Sequence, residues 1–195
     1  MPVNANDPRV RRTRQLLTEA FYSLLEEKKN IYSISVYDIA ARATVNRATF
    51  YAHFEDKFAF LEYWMTEKFE SIIHKRIPVD AKLTSDNLQT LVQTLFDFLF
   101  RFRQYITLGD RQFEPLFETA MQKKLYQLLL QWLCEADVEG ISQESMEATA
   151  NVISWGIFGS AVQCSRDPQQ EKSDILIKNV LEVVTLNLAP YLEPT

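Results

Sequence analysis

The stretch from Ser35 to Phe54 constrains the fold of this chain more than any other part of its sequence. Its residue pattern predicts two short helices joined by a tight turn. Ser35 can cap the first helix, and Asp38 three residues later completes a capping-box spacing. Asn46 can cap the second helix. The second helix then turns a row of hydrogen-bonding side chains outward, which is typical of a helix that lies in a major groove of DNA.

This segment resembles the helix-turn-helix of TetR-family transcriptional regulators, over about residues 9–60. The residues that match the family pattern in one register are Ile39, Ala40, Ala43, Val45, Ala48, Thr49, Phe50, Tyr51, His53, Phe54 and Lys57. Thr44 departs from the pattern because the family usually has glycine at this turn position. The position often needs a positive φ, which a β-branched residue resists. The resemblance implies a sequence-specific DNA-binding protein.

Helical periodicity along the whole chain predicts an all-α fold. Beyond the two short helices, we expect longer helices at about residues 8–28, from residue 56 onward, and at 85–102, 116–135, 142–165 and 171–188. We expect two domains. Residues 1–57 form an N-terminal three-helix DNA-binding domain, and the fourth helix joins it to a C-terminal helical ligand-binding and dimerisation domain, residues 58–195.

Charge is distributed unevenly between these two parts. Residues 1–57 hold nine Lys or Arg against seven Asp or Glu, whereas the whole chain has a net charge of −5. Arg9, Arg11, Arg12 and Arg14 form a basic leader that can reach along a DNA backbone, where phosphate contacts supply affinity without sequence preference. The alternative is a solvated helix start. The asymmetry favours an N-terminal part that contacts nucleic acid.

Other functional classes have little support in the sequence. The chain has two histidines and shows no nucleophile elbow, phosphate-binding loop or metal-ligand cluster, so we expect neither an enzyme nor a bound metal or cofactor. No stretch approaches the roughly 18 apolar residues of a membrane helix, and the polar N-terminus leads us to expect no signal peptide. The two cysteines, Cys134 and Cys164, are not spaced as metal ligands and do not suggest a disulfide. We therefore expect a reduced, cytoplasmic protein.

Candidate DNA contacts lie on the second helix of the helix-turn-helix. Arg47 suits guanine, and the methyl group of Thr49 suits thymine. Tyr51 and His53 suit phosphates and set the register. Asn46, at the start of the helix, completes this group.

Two further DNA contacts are implied by the resemblance. Lys57, at the start of the fourth helix, can meet a phosphate, or it can face Glu55 or Asp56 on the surface. Tyr37 occupies a family position that often reaches the DNA, or it can pack on the following helix.

The C-terminal part is rich in aromatic residues. Such a set can line a cavity for an apolar or aromatic ligand, or it can be a plain aromatic core. The candidate ligand contacts are Trp64, Phe100, Tyr105, Phe117, Met121 and Trp155.

The last two predicted helices carry features of a subunit interface. Glycine inside a helix costs about 1 kcal/mol relative to alanine, so Gly156 and Gly159 indicate close approach of a neighbouring helix or a ligand. The final helix has more apolar surface than one monomer face needs. In the TetR family these helices commonly pair with their symmetry mates, so the resemblance implies a homodimer. Its two heads, about 34–36 Å apart, would read the half-sites of a palindrome.

We therefore expect a TetR-like DNA-binding regulator, a repressor that binds a palindromic operator as a dimer and is released by a small apolar or aromatic ligand. The alternative is a ligand-independent regulator that acts through a protein partner, as a coactivator or a DNA-bound scaffold.

Overall fold

The computed structural model of the protein describes residues 7–31, 33–105, 114–166 and 173–192. Over these ranges the chain is helical, without a β-strand, which confirms the all-α fold. The helices are α1 (Pro8–Lys28), α2 (Val36–Arg42), α3 (Arg47–His53), α4 (Lys57–His74), α5 (Ser85–Arg103), α6 (Glu114–Ala136), α7 (Gln143–Arg166) and α8 (Ser173–Leu188). A 3-10 turn, Ala189–Tyr191, follows α8.

Local signals in the sequence define both ends of α1. The Asp7 carboxylate accepts a hydrogen bond from the Arg9 N–H at 2.8 Å, and Pro8 takes the first helical position, where no N–H is needed. Lys29 ends the helix in the left-handed region, at a φ of 50°. Its N–H donates to the Leu25 carbonyl at 2.8 Å. The helix bounds predicted from the sequence are therefore confirmed.

The predicted caps of α2 and α3 are also confirmed. The Ser35 hydroxyl accepts from the Asp38 N–H at 3.1 Å, and the Asp38 carboxylate accepts from the Ser35 N–H at 2.9 Å. The Asn46 side-chain oxygen accepts from the Ala48 N–H at 2.9 Å. Each bond satisfies an N–H that lacks a partner in the first helical turn, so α2 and α3 begin where the sequence predicts.

Thr44 adopts the left-handed conformation that the turn between α2 and α3 requires, with a φ of 56°. Its hydroxyl donates to the Ala43 carbonyl at 2.7 Å. The Val45 N–H donates to the Ala40 carbonyl at 3.0 Å, which closes the turn. The family's turn geometry is therefore kept without the usual glycine, at the cost of strain in a β-branched residue.

We expect Thr44→Gly to raise the free energy of unfolding by about 1 kcal/mol, because relief of the positive φ outweighs the greater freedom that glycine gives the unfolded chain. Thermal or urea unfolding measures the change. Thr44→Ala is the control, because it loses the hydroxyl and the branch but keeps most of the strain. A glycine variant less stable than wild type would show that the bond to Ala43 outweighs the strain.

Two compact units make up the chain. The first comprises Met1–Met65 with Gln104–Phe117, and the second comprises Thr66–Arg103 with Glu118–Thr195. Helix α4 begins in the first unit and ends in the second. The division between residues 57 and 58 expected from the sequence remains a prediction, and the first turns of α4 pack with α1–α3.

Aromatic rings form the centre of the first unit. Phe21 of α1 contacts Phe60 and Trp64 of α4, with ring centroids 5.4 and 4.9 Å apart. Phe50 of α3 lies 5.4 Å from Phe60 and 5.6 Å from Phe54. The aromatic contacts thus join α3 to α4, and α4 to α1. They hold α3 and the turn before it on a packed aromatic base.

The second unit has its core between α5, α7 and α8. The buried side chains of this core include Leu88, Leu91, Leu95, Ile153, Ile157, Ala161, Ile177, Val184 and Leu188. They recur at intervals of three, four or seven residues along their helices, as expected for helices that bury one face. In the part of the chain that the structure describes, no helix is long and apolar enough to cross a membrane.

Candidate nucleic-acid interface

Helix α3 divides its side chains between a buried and an outer face. Phe50 and the capping residue Phe54 are buried, as predicted. Arg47 and Tyr51 are exposed, and Thr49 is partly exposed. Because the buried rings fix the roll of this short helix, its polar side chains are presented together to the solvent.

Arg47 and Tyr51 lie one turn apart on this outer face and contact each other. The guanidinium Nη2 donates to the Tyr51 hydroxyl at 3.4 Å, and the guanidinium carbon lies 5.8 Å from the ring centroid. A long contact between exposed groups is weak, so both side chains can exchange it for base edges or phosphates. Asn46 lies beside them, with its side-chain oxygen engaged in capping α3.

Two ion pairs hold α2 against α1. Arg42 binds both oxygens of Glu27 at 2.7 and 2.8 Å, and it also donates to the Ser23 hydroxyl. Lys28 lies 3.0 Å from Asp38. The backbone N–H of Ser35, with Lys28 next in effect, lowers the pKa of Asp38 to about 2. Hydrogen bonding to Arg42 lowers the pKa of Glu27. Arg42 and Lys28 therefore hold α2 in place against α1.

Lys57 lies where the sequence predicts it, at the start of α4, but its ammonium already has a protein partner. Its Nζ donates to the Ile31 carbonyl at 2.9 Å. This bond ties α4 to the connection between α1 and α2. Neither alternative from the sequence described this contact, and a phosphate contact by Lys57 remains a prediction.

Tyr37 projects from α2 with 66% of its surface exposed. Such exposure favours a residue available to DNA over one packed on α3.

The structure changes the interpretation of Arg14. The guanidinium carbon of Arg14 lies 5.3 Å from the ring centroid of Phe54 and 5.1 Å from that of Tyr63, and its Nε is buried. Arg14 therefore packs into the head, whereas Arg9, Arg11 and Arg12 are exposed. His53 is half-buried, and burial followed by the charge of Arg14 lowers its pKa. No pattern in the sequence indicates this cluster, because a contact of α1 with α3 and α4 depends on tertiary packing.

Three of the predicted ligand residues fall in the first unit. Trp64 is buried against Phe21, which favours the aromatic-core alternative for this residue. The Tyr105 hydroxyl donates to the Glu26 carboxylate at 2.5 Å. Phe117 belongs to α6, and its side chain lies outside the described residues.

The other three predicted ligand residues fall in the second unit and differ in exposure. Met121 is buried and Phe100 is half-buried. Trp155 is 53% exposed, contrary to an interior position within one chain. It lies on the outer face of α7 because Ile153 and Ile157 occupy the inner face.

The second unit has an open cleft of about 400 Å³ between α6 and α7. Its lining is largely polar and includes none of the predicted ligand residues. The lining residues are Gln122, Lys123, Tyr126, Glu144, Glu147, Ala148 and Asn151. Sequence periodicity did not indicate this cleft. It shows which residues of a helix are polar, but it does not show which two polar helix faces lie opposite each other. Among the described residues, no group of His, Cys, Asp and Glu side chains could hold a metal ion.

Apolar side chains are exposed on both α7 and α8, and together with the two exposed glycines of α7 they are called the exposed stripe. Its members are Val152, Trp155, Gly156 and Gly159 on α7, and Ile175, Val183 and Leu186 on α8. A Cβ added at either glycine would meet no atom within 4 Å among the described residues of the chain. The close approach that these glycines allow is therefore not used by the described part of a single chain.

The helix-turn-helix matches known regulators in sequence. Residues 25–63, from the end of α1 into α4, match the profile of bacterial regulatory proteins of the tetR family. The chain is also similar to the uncharacterized HTH-type transcriptional regulator YxbF of Bacillus subtilis (strain 168), with 37% identity over 67 residues. This match covers 34% of the chain and 18% of the length of that relative.

The fold matches solved regulators over most of the chain. The fatty acid degradation regulator FadR of Bacillus halodurans has a TM-score of 0.52 and 17% identity, over 93% of this chain and 96% of that one. FadR of Bacillus subtilis, solved in complex with stearoyl-CoA, has a TM-score of 0.51 and 18% identity, over 87% and 96% of the two chains. At these identities the likeness concerns the fold. The sequence match identifies residues 25–63 as a helix-turn-helix segment of the tetR family of bacterial regulatory proteins.

Proposed function

We propose that the protein is a repressor that binds a palindromic operator as a homodimer and is released by a small apolar or aromatic ligand. The observation that carries the proposal is the outer face of α3, where Arg47, Thr49 and Tyr51 are presented over a buried aromatic base. A helix of this kind can place base-reading and phosphate-binding groups in one groove.

The exposed stripe on α7 and α8 supports the homodimer. Large apolar side chains at Val152, Trp155 and Leu186 lie on the surface of one chain, and burial against a second copy would remove them from water. The open space at Gly156 and Gly159 would let a partner helix approach closely. A two-fold dimer would present two α3 helices, as a palindrome requires.

The ligand part of the proposal rests on aromatic and apolar side chains such as Phe100 and Met121 in the second unit. Helix α4 runs from the DNA-binding head into this unit, so a ligand that tilts α4 would change the spacing of the two heads. A difference of 1–3 kcal/mol in ligand affinity between two states changes DNA affinity about 5–150-fold. The stearoyl-CoA bound to Bacillus subtilis FadR makes a long-chain acyl-CoA a first compound to test.

A second candidate function is regulation through a protein partner without a ligand. It is favoured by the positions of three predicted ligand residues, two of which have other partners and one of which is exposed. Trp64 packs in the head, Tyr105 binds Glu26, and Trp155 is more than half exposed.

Selection of genomic DNA fragments by the purified protein tests the proposal. Fluorescence anisotropy of the recovered DNA, with stearoyl-CoA and a set of small apolar and aromatic compounds, then measures release. A palindrome released by one class of compound supports the proposal. A palindrome that no compound releases favours the second candidate, and failure to enrich any DNA overturns both.

Arg47→Ala should weaken operator binding by about 1–3 kcal/mol and relax the preference at one base pair, because Arg47 is proposed to read a base edge. Competition by operators with single base-pair changes measures both effects.

Tyr51→Phe is the comparison for Arg47→Ala. Loss of one hydroxyl that binds a phosphate should weaken binding to all sequences alike. Equal and sequence-independent losses from the two variants would show that Arg47 is not a base reader.

A further inference from the structure

His53 and Arg14 form a polar cluster inside the DNA-binding head that lacks the expected hydrogen bonds. His53 Nδ1 and Arg14 Nε are both buried, and neither has a hydrogen-bond partner among the described residues. The Arg14 guanidinium, from α1, lies over the rings of Phe54 and of Tyr63, from α4. The imidazole of His53, in the last turn of α3, lies 6.5 Å from the Phe54 ring between centroids, and it is close enough to Arg14 for that positive charge to act on it.

This environment favours the neutral imidazole in the free protein. A neutral ring can place an unprotonated Nδ1 inside, whereas an imidazolium would bury a charged N–H without an acceptor. Burial lowers the pKa of His53, and the charge of Arg14 lowers it further. Among the charged groups of the described neighbouring helices, the guanidinium of Arg14 on α1 is the one that acts on the ring.

The outward edge of the ring has a different environment once DNA is bound. Because Nδ1 is the buried nitrogen, the exposed part of the half-buried ring carries Nε2. DNA on the outer face of α3 would bring phosphates near this edge. Their negative charge opposes that of Arg14 and favours the imidazolium.

We propose that His53 makes operator binding proton-linked: the imidazole is neutral in the free head and takes up a proton when a DNA phosphate lies against Nε2, so acid strengthens binding. This inference rests on the proposed function. Linkage fixes the sign, because a state that binds more protons is favoured as the pH falls. One proton per head gives at most about a tenfold gain in affinity per pH unit for that head.

The histidine content of the chain makes the first half of the proposal directly measurable. The chain has two histidines, and the second, His74, is exposed at the end of α4. Proton NMR of the free protein should show two imidazole C2–H titrations, which His74→Gln assigns. We expect His53 to titrate below about 6.5, the ordinary value. Arg14→Met keeps an apolar chain over the rings and removes the charge, so it should raise the pKa of His53.

Anisotropy with selected operator DNA between pH 8 and pH 5.5 tests the second half. Affinity should rise as the pH falls for wild type and for the control His74→Gln, and the rise should be largely lost in His53→Gln. An unchanged slope in His53→Gln overturns the inference while operator binding stands. Titration of His53 at or above 6.5 in the free protein also overturns it. Absence of operator binding at every pH would overturn the proposed function, and the linkage with it.

Discussion

Replacing Val152 with glutamate is expected to convert the proposed dimer into monomers and to lower operator affinity about 100-fold or more. Val152 is 68% exposed on α7, so the fold of one chain tolerates a carboxylate there. In a two-fold dimer the same change would bury two carboxylates without partners, which costs several kcal/mol. A monomer reaches one half-site only, and 2.7 kcal/mol already corresponds to a hundredfold change. Light scattering and operator anisotropy measure the two effects.

Val79→Glu is the matched control for this prediction. Val79 is 72% exposed between α4 and α5, outside the stripe, so the same substitution at similar exposure should change neither the mass in solution nor operator affinity. A Val152→Glu protein with the mass and the operator affinity of wild type would show that the stripe on α7 and α8 is not the subunit interface.

The parts of the fold that the sequence predicted depend on local chemistry. The Ser35–Asp38 capping box and the Asn46 cap lie within three residues of the N–H groups that they satisfy. Such signals are available in the sequence because each involves one short segment. The sequence left the turn at Thr44 open, because a β-branched residue resists a positive φ, and the structure shows that Thr44 adopts a φ of 56° there.

The parts that the sequence did not predict depend on contacts between distant segments. The hydrogen bond that Lys57 Nζ donates to the Ile31 carbonyl, 26 positions earlier in the chain, was in neither alternative for this residue, a phosphate contact or a surface position beside Glu55 or Asp56. Arg14 was grouped with Arg9, Arg11 and Arg12 in a basic leader for the DNA backbone, and its guanidinium packs over the rings of Phe54 and Tyr63. Arg14 has the same charge and the same place on α1 whether it reaches outward or packs inward, so only the tertiary fold distinguishes the two positions.

For the aromatic residues too, helical spacing did not predict the contacts between distant segments. It places Trp64 and Trp155 on helix faces but does not say whether a face meets the core, a ligand or a second subunit. In the structure one side chain is packed on Phe21 and the other is exposed. The residues predicted to line one ligand pocket therefore lie in different environments. On the outer face of α3, by contrast, Arg47 and Tyr51 contact each other.

Phe50→Ala is expected to lower the free energy of unfolding of the head by about 3–5 kcal/mol, the usual cost of removing a fully buried phenylalanine. The Phe50 ring contacts Phe54 and Phe60, and it holds α3 on the core of the first unit. Loss of the ring leaves a cavity under the recognition helix, so operator affinity should fall together with stability. Urea unfolding followed by circular dichroism measures the change in stability.

Tyr51→Ala, at the next position of α3, separates packing from DNA contact. Tyr51 is 47% exposed, meets the Phe50 ring edge to face and makes a long contact with Arg47, so its truncation should cost about 1 kcal/mol of stability or less. Its operator affinity should nevertheless fall, because the hydroxyl is proposed to bind a phosphate. If Phe50→Ala were as stable as Tyr51→Ala, the buried ring would not be what orients α3. The polar face would then need another support, and the connections from Ser35 to Asp38 and from Arg42 to Glu27 would be the next to test.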